Sequence, residues 1–432
     1  MIDQAEVAFK DSGFDWLGEI PENWQVKPFW TLYRRAKSTG HPEEELLSVY
    51  RDYGVIPKSS RDDNGNVESE DLNAYQLVEP NDLVMNKMKA WQGSIAVSDI
   101  RGIVSPAYFV FKPRHNAHGP YLHHLLRSKK YIGEYNRLSK GIRVGQWDLE
   151  PTAFRTTPVV LPPFDEQVSI AEFLDRETTQ IDELIAKQNL LIQSLSELRT
   201  TTIKLAVTKG LEPGVALKST RYHWLDSTPT HWRVLPIKRV ATTGAGAGFP
   251  IEYQGLSDEE ITFLKVNSLS RANSLGVISS RDDTVSRSTA NKLNARIYPA
   301  GSIVLAKIGA ALLLGRIRIA GGDSCIDNNM MAITPSSEVD ARFLFYALTL
   351  VDFAYIVNPG TVPSTSEGAV GNFHLSIPPL PEQRAIAQYL DEKTHRIDLL
   401  AEKAEKTVEV LTERRQALIG AAVTGKIDVQ GK

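Results

Sequence analysis

A long internal repeat constrains the fold of this chain more than any other feature of its sequence. Residues 161–208 recur as residues 377–424 without a gap, so that Pro162 corresponds to Pro378 and the offset stays constant along the repeat. The residues of the first copy that recur unchanged include Pro162, Pro163, Glu166, Gln167, Ile170, Ala171, Leu174, Asp175, Thr178, Ile181, Asp182 and Lys187. Chance does not preserve a register over such a length, so the chain is a duplicated unit whose halves form similar structures.

Each copy of the repeat predicts one long helix. Asp165 is placed as an N-cap and Pro381 in a first helical turn, while Gly210 and Gly425 stand where the helices are expected to stop. Apolar residues follow at heptad spacing. A helix of about 44 residues is roughly 65 Å long at ~1.5 Å per residue, which favours a coiled coil over two ordinary core helices.

The heptad assignment gives each helix one apolar seam. In the first helix, one position takes Leu174, Ile181 and Leu195, and the other takes Ile170, Leu184, Leu191, Leu198 and Leu205. In the second helix, the seam takes Ile386, Leu390, Ile397, Leu400, Leu411 and Leu418, with Ala404 and Thr407 as weaker members. The chain reaches its second unit directly after the first helix and leaves it by the second, so helices packed along these seams must run antiparallel. Asp in place of Leu184 and Leu400 is expected to disrupt this coiled coil.

The duplication extends to the residues that precede each helix. Trp24 recurs as Trp232 and Pro28 as Pro236, again at a constant offset. Short apolar runs between turn residues predict strands at 82–88, 94–97, 108–112, 261–266, 302–308 and 316–319, and short helices at 120–126 and 341–349. We therefore predict an α+β chain, in which two related units of mixed strands and short helices, 1–160 and 211–376, alternate with the long antiparallel helices, 161–210 and 377–432.

Composition narrows the functional class. The chain has 42% hydrophobic and 23% charged residues and a net charge of −3, as a soluble globular protein does. Its single cysteine, Cys325, excludes an internal disulfide framework and fits a reducing compartment. The first residues are acidic and lack an apolar core, and no apolar run has the length to cross a bilayer, so we expect a cytoplasmic protein.

Each unit contains one basic section despite the nearly neutral total charge. Residues 101–143 carry nine Lys or Arg residues against one acid, and residues 261–320 carry nine against two. Such sections could neutralise several phosphates of a nucleic acid. A solvated surface of mixed charge is the alternative, and the occurrence of a basic section in both units favours the nucleic acid.

The sequence lacks the motifs of an enzyme. Residues 161–164 are similar to the (Asn/Asp)-Pro-Pro-aromatic motif of adenine methyltransferases, but Leu161 and its counterpart Ile377 lack the polar side chain that binds the adenine amino group. The Gly-rich run 244–248 lacks the register and the following helix of a dinucleotide loop, and predicts a flexible loop. Four clustered histidines lack cysteines or carboxylates at zinc-ligand spacing and are interpreted as surface or helix residues: His115, His118, His123 and His124. We therefore predict no active site, metal site or cofactor in this chain.

The repeat and its motifs resemble the specificity (S, HsdS-type) subunits of type I restriction–modification systems over nearly the whole chain. The resemblance rests on Pro-Pro-Phe-Asp-Glu-Gln at 162–167 and Pro-Pro-Leu-Pro-Glu-Gln at 378–383, each followed by Ile-Ala-x-aromatic-Leu-Asp. It implies that each unit is a target-recognition domain reading one half of a split, asymmetric DNA site, and that the helices form the spacer. It also implies two methyltransferase (M) subunits and restriction (R) subunits as partners, with S-adenosylmethionine, ATP and Mg²⁺ bound there rather than in this non-catalytic chain.

Candidate DNA-binding residues follow from the chemistry of base and phosphate contacts. Arg and Lys suit guanine edges and phosphates, and Asn and Gln suit adenine edges. Candidates in the first unit are Lys87, Lys89, Arg101, Arg114, Arg143 and Gln146. Candidates in the second unit are Lys265, Asn267, Arg271, Lys307, Arg316 and Arg318. Lys87 and Lys307 occupy similar strand positions, and a plain surface role is the alternative for each residue.

Two other functions stay open on the sequence alone. A self-sufficient DNA methyltransferase or nuclease is disfavoured by the missing cofactor loop and by the apolar residue before each Pro-Pro pair. A coiled-coil interaction protein without a DNA role is disfavoured by the two basic sections.

Overall fold

The structure, a computed structural model, describes residues 8–51, 53–61, 71–141, 147–351, 357 and 362–429. The chain divides into two compact units, one of Met1–Lys187 with Thr407–Lys432 and one of Gln188–Lys406. Each unit contains one mixed-sheet domain together with parts of the two long helices.

The first sheet domain precedes the first long helix. Its strands are β1 (Phe9–Asp11), β2 (Glu19–Pro21), β3 (Gln25–Pro28), β4 (Tyr33–Ala36), β5 (Leu47–Tyr50), β6 (Gly54–Pro57), β7 (Gln76–Val78), β8 (Leu83–Asn86), β9 (Ile95–Val97), β10 (Gly102–Val104), β11 (Tyr108–Pro113), β12 (Ser139–Lys140), β13 (Asp148–Leu149) and β14 (Pro158–Leu161). Its helices are α1 (Phe29–Leu32), α2 (Gly119–Leu126), α3 (Lys129–Leu138) and α4 (Pro151–Arg155). The main sheet is antiparallel, with strand order β4-β11-β8-β9.

The main sheet of this domain is covered on both faces. Leu83 and Met85 of β8 lie in a core with Phe109, while Val84 between them packs on the opposite face with Val110. Alternate side chains of a strand point to opposite faces, so a strand buried on both sides reads as a continuous apolar run. This explains why the central strands were recognisable from the sequence.

The second sheet domain follows the first long helix, α5 (Phe164–Lys209). Its strands are β15 (Leu217–Tyr222), β16 (Leu225–Pro229), β17 (Arg233–Pro236), β18 (Ala241–Ala245), β19 (Ile261–Leu264), β20 (Val277–Ile278), β21 (Thr284–Val285), β22 (Ile303–Ala306), β23 (Ile317–Ala320), β24 (Ser324–Ile326), β25 (Met330–Pro335) and β26 (His374–Ile377). Its helices are α6 (Arg287–Lys292), α7 (Ala310–Leu313), α8 (Ala341–Thr349) and α9 (Glu367–Gly371), and the chain continues into the long helix α10 (Leu380–Ala422).

The two main sheets have the same order over four strands. The second sheet runs β18-β25-β22-β23-β20, so that β22 takes the place of β8 and β23 that of β9. Its extra strand, β20, pairs with β23 in parallel, whereas the other pairs are antiparallel. The α+β class, the predicted strands and the two short helices are thereby confirmed, with shifts of a few residues at their ends.

The ends of the long helices agree largely with the sequence. Gly210 follows the last residue of α5 with φ +81°, and Gly425 lies just beyond α10 with φ +69°, as expected of helix stops. Pro381 is the second residue of α10, as predicted. The N-cap assignment of Asp165 is wrong, because α5 begins at Phe164 and Asp165 lies inside its first turn.

The heptad assignment is correct for one of its two positions. Leu174, Ile181 and Leu195 are buried. Of the second position only Ile170 is buried, whereas Leu184, Leu191, Leu198 and Leu205 are between 44% and 54% exposed. The second seam position is instead taken by less exposed residues spaced seven apart, namely Thr178, Ile185, Ile192 and Arg199, which lie three or four residues from those of the first position. The equivalent positions of α10 are Thr394, Ala401, Val408 and Arg415. Leu400 is also exposed, so Asp at Leu184 and Leu400 would not enter the seam. The assumption that these two leucines hold the coiled coil together is therefore wrong.

The helices pack against each other in antiparallel directions within each unit. In the first unit, Ile170 and Leu174, near the start of α5, share a core with Ala422 and Val423, at and just beyond the end of α10. In the second unit, residues near the end of α5, such as Ile203, share a core with Ile386 and Leu390 near the start of α10. The predicted antiparallel pairing of two long helices is confirmed.

Candidate nucleic-acid interface

The residues common to both repeats attach each sheet domain to its long helices. In the first domain, the indole Nε1 of Trp24 donates a hydrogen bond to Glu166 Oε1 at 3.1 Å. In the second domain, Trp232 Nε1 donates to Glu382 Oε1 at 3.0 Å. Both tryptophans are buried, and the glycine that ends the other long helix packs on each: Gly425 on Trp24 and Gly210 on Trp232. The repeated Trp and Glu are therefore structural residues.

The repeated glutamine has a second structural role. The amide oxygen of Gln167 accepts from the backbone N–H of His118, just before α2, at 2.9 Å, and its amide nitrogen donates to Pro162 O at 2.8 Å. Gln383 makes the same pair of contacts with Asp340 N–H at 2.8 Å and Pro378 O at 2.9 Å. These bonds satisfy buried polar groups where a short helix meets the long one. The Pro-Pro-x-x-Glu-Gln motif is thus explained without any chemistry on a ligand.

A symmetric pair of ion pairs joins the two helices. Asp182 accepts from Arg415 Nε at 2.8 Å in the first unit, and Asp398 accepts from Arg199 Nε at 2.8 Å in the second. The repeat relates the two aspartates to each other and the two arginines to each other, so the same contact is made twice. The aspartates were noted as repeated residues, but the arginines were overlooked, although their identity at the repeat offset could have identified them.

Three of the candidate DNA-binding residues are neutralised by nearby acids. Arg101 pairs with Glu44 at 2.8 Å and with Glu79 at 3.0 Å. Lys265 lies 2.6 Å from Asp283 and also donates to Gln254, while Arg271 pairs with Asp282. These acidic partners give each of the three basic residues a structural role and make its positive charge less available to a DNA phosphate.

A second group of candidates reaches solvent and has no acidic partner. Within the described part of the chain, the side chains of Lys89, Arg114, Lys307 and Arg316 make no ion pair and no hydrogen bond; Lys307 is half-buried and the other three are exposed. Asn267 is also exposed, in the 3-10 turn Val266–Arg271. Lys87 is intermediate, with its Nζ 3.6 Å from a carboxylate oxygen of Asp148.

Lys87 and Lys307 occupy equivalent places in the fold. Each follows the last residue of a central strand, β8 or β22, and each main-chain carbonyl accepts a hydrogen bond from a residue before the short helix α4 or α9. The donors are Leu149 at 3.2 Å and Thr365 at 2.9 Å, which correspond to each other at the repeat offset. Arg143 and Gln146 lie outside the described residues.

Arg318 is partly buried beside other arginines. It lies on β23, where burial lowers the pKa of its guanidinium, and the charges of Arg316 and Arg199 lower that pKa further. Its Nη1 donates to the carbonyl of Ile317 at 2.7 Å. A local concentration of positive charge therefore exists on this side of the second domain, and it would be relieved by an anion.

His123, Cys325 and the Gly-rich run, which were considered as possible functional sites, are explained by burial and packing. Burial lowers the pKa of His123 to about 3, helped by the adjacent Arg127, and burial raises the pKa of Cys325 to about 11. Gly244 belongs to β18, so the flexible-loop interpretation is wrong there, and a Cβ on Gly246 would lie 2.0 Å from Asp327 O. Close backbone packing explains Gly246, and the Tyr298 side chain lies where a Cβ on Gly244 would stand. Among the described residues there is no cluster of His, Cys, Asp and Glu able to hold a metal ion.

Comparison with known proteins decides the family. The model of the type I restriction modification DNA specificity domain matches residues 229–409. The MjaVIII specificity subunit of a type I restriction enzyme from Methanocaldococcus jannaschii is 24% identical, over 95% of this chain and 94% of its own. The StySPI specificity subunit from Salmonella potsdam is 21% identical, over 96% of this chain and 91% of its own. The chain belongs to the type I restriction–modification specificity family.

As a specificity subunit, the chain is the non-catalytic DNA-recognition component of a type I restriction–modification system. Solved structures agree in fold. A chain from work on complex assembly and conformational transition of the type I R-M system has a TM-score of 0.70 and 16% identity, over 94% of this subunit and 99% of that chain. The HsdS subunit from Thermoanaerobacter tengcongensis has a TM-score of 0.50 and 17% identity, over 96% of this subunit and all (100%) of that chain. No helix in the described ranges combines the length and apolarity that a membrane span needs.

Proposed function

We propose that this specificity subunit reads a bipartite, asymmetric DNA site, with one half read by each sheet domain. The observation that carries the proposal is the duplication itself: two sheets of the same strand order hold different side chains on identical helix attachments. If both domains read the same sequence, their exposed connections would not need to differ. The unpaired Lys89, Arg114, Lys307 and Arg316 are the residues that we assign to phosphate or guanine contacts.

The proposed complex contains DNA, two methyltransferase subunits and restriction subunits in the cytoplasm. S-adenosylmethionine would be bound by the methyltransferase subunits, and ATP and Mg²⁺ by the restriction subunits. No residue of this chain is assigned to them. The specificity subunit would contribute only position: it holds a DNA sequence before the enzymes that modify or cleave it.

The test is a genome-wide map of methylated adenines in cells with the gene present and deleted, carrying the cognate methyltransferase. Loss of one split motif with a fixed gap on deletion is the expected result, and it would also supply the target sequence. An unchanged methylation map, with the protein shown to be expressed, would overturn the proposed function.

The docking surface that we propose for a methyltransferase subunit lies on α5. Leu190, Leu191, Leu198 and Leu205 are all exposed on this helix, and solvent-facing leucines at heptad spacing are typical of helix-on-helix contacts. In α10 the equivalents of the last three are Thr407, Arg414 and Ala421, so this leucine row belongs to one helix only.

Substitution of Leu191 and Leu198 by Lys is expected to lower co-purification of the methyltransferase at least tenfold while leaving the fold intact. Lys at the exposed Asn189 is the matched control and should assemble normally. Equal assembly of the double variant and the control would place the docking surface elsewhere.

A further inference from the structure

The connection after the central strand of the first sheet domain exposes apolar side chains. Residues 87–94, between β8 and β9, together with Trp147 are here named the first tip. Met88 is 47% exposed, and Trp91 packs on Trp147 with ring centroids 5.0 Å apart. Trp91 Nε1 donates to Met88 O at 3.0 Å, which fixes the indole against the turn. The Trp91 side chain is thus held in place by the turn and by Trp147.

The second sheet domain exposes apolar side chains at the same place. Residues 307–316, between β22 and β23, are here named the second tip. Leu313 and Leu314 are 57% and 63% exposed, and Ile308 is also exposed. The turn is built by the short helix α7 between Gly309 and Gly315, both of which have positive φ. Leucines on a constrained turn lose little entropy when a partner covers them.

The surroundings of the two tips correspond in detail. Beside the first tip, Leu149 N–H bonds to Lys87 O, and beside the second, Thr365 N–H bonds to Lys307 O. Ile308 also forms a bridge with Ser364, the residue before Thr365. Two sheets that have diverged in sequence therefore keep an exposed apolar turn against the same neighbouring segment. An accidental exposed apolar turn would not be expected twice in equivalent positions.

The charges on the tips indicate which partner covers them. Residues 87–94 contain two lysines and no acid, and residues 307–316 contain one lysine, one arginine and no acid. The charged residues of both turns are cations, although Asp148 beside Trp147 lies 3.6 Å from Lys87 Nζ. An apolar centre on a mainly cationic turn matches a DNA groove, where phosphates line the rim and base edges, including the thymine methyl group, lie between them. DNA is also the ligand of this family, so charge complementarity and function agree.

We propose that the two tips are base-contacting elements, and that Met88, Trp91, Leu313 and Leu314 carry part of the half-site preference through apolar contact with thymine 5-methyl groups. The inference rests on the proposed function and names the residues by which each domain reads its half. The tips differ in residue type, Met and Trp against Leu and Leu, and so favour different sequences. Hydrogen-bonding side chains would then supply only the rest of the specificity.

The first test maps methylated adenines for Met88→Ala and for Leu313→Ala with Leu314→Ala. Each variant is expected to relax the motif in one half only, and the two variants in opposite halves, so each serves as the control for the other. Ile251→Ala, at an exposed isoleucine outside the second tip, should leave the motif unchanged. Assembly with the methyltransferase should be normal in all of them.

The second test uses the purified complex and duplexes in which one thymine of the mapped site is replaced by uracil, which lacks the methyl group. Wild-type binding should weaken by about fourfold at a contacted thymine, the factor expected for one buried methyl. The Leu313→Ala and Leu314→Ala variant should not distinguish thymine from uracil there. A modified half always has thymine opposite its methylated adenine, so the measurement is possible in each half.

Three outcomes distinguish failure of the role proposed for the tips from failure of the proposed function. A wild-type split motif that both tip variants leave unchanged, with an equal uracil response, rejects the tips alone. Weakened methyltransferase assembly, with the wild-type motif in the methylation that remains, makes the tips protein-docking surfaces. A methylation map that does not depend on the gene at all rejects the proposed function.

Discussion

His123 shows how burial fixes the protonation of a single side chain. Its Nδ1 lies 3.1 Å from Val97 O and its Nε2 faces Arg127, so the neutral ring donates from Nδ1 and accepts at Nε2. Burial lowers its pKa from the ordinary 6.5 to about 3. Below pH 6.5 the unfolded chain binds a proton that the folded chain does not, so this contribution to stability is complete above pH 6.5 and is lost progressively as the pH falls.

We therefore expect wild type to lose about 2 kcal/mol more unfolding free energy than His123→Gln between pH 7.5 and 5. Urea unfolding at both pH values measures this difference. His395→Gln, at an exposed position of α10, is the control and should keep the wild-type pH dependence. Parallel pH profiles for wild type and His123→Gln would contradict the assignment.

Gly425 combines a backbone requirement with a packing requirement. Its φ is +69°, and a Cβ there would lie 2.3 Å from Pro21 Cγ and 3.2 Å from Trp24 Cζ2. Gly214 has a similar φ of +78° but no atom within 4 Å, so it isolates the backbone effect. Gly214→Ala should cost about 1 kcal/mol of stability, and Gly425→Ala about 2 kcal/mol more, because the added methyl overpacks a rigid neighbour. Equal losses in thermal or urea unfolding would show that Pro21 moves freely.

The long helices make a prediction at the scale of the element. Ile181 is 4% exposed in the seam, whereas Leu184, only three residues away, is 46% exposed. Ile181→Asp should destabilise the chain by about 3 kcal/mol or more, since it buries an unpaired charge, and Leu184→Asp by less than about 1 kcal/mol. Urea unfolding of the two variants compares them directly. A larger loss at Leu184 would restore the original heptad assignment.

The same elements show what a sequence can and cannot predict. Helix length, direction and stops follow from local pattern and connectivity, and they were predicted. The seam was half missed because Leu184 and Leu191 are more apolar than Thr178 and Arg199, although the partner helix covers the latter. The pairing of Arg101 with Glu44, 57 residues away in the chain, depends on tertiary contacts that no local pattern contains. For that reason the sequence alone does not show which candidate Lys and Arg residues are free to contact DNA.

On the scale of the whole molecule, duplication has kept the attachments and varied the exposed faces. The Trp–Glu bonds measure 3.1 and 3.0 Å in the two copies, and the Asp–Arg pairs of the helices are identical in distance. The exposed tips share their position but not their residues. A scaffold repeated in this way can vary what each domain reads without changing how the domain is held.

Some of the candidate Lys and Arg residues are unpaired and others are neutralised by acids. This division predicts the salt dependence of DNA binding by the assembled complex. Each phosphate contact contributes about 0.9 to the slope of log K against log salt, so Ala at Lys89, Arg114, Lys307 and Arg316 together should reduce that slope by about 3 to 4. Ala at Arg101 and Arg271 is the matched control, because Glu44, Glu79 and Asp282 already neutralise these bases. Titrations of the mapped site at several salt concentrations give both slopes. If the control substitutions lower the slope as much per residue as the unpaired set does, the ion pairs break when DNA binds. All of these Lys and Arg residues would then belong to the interface.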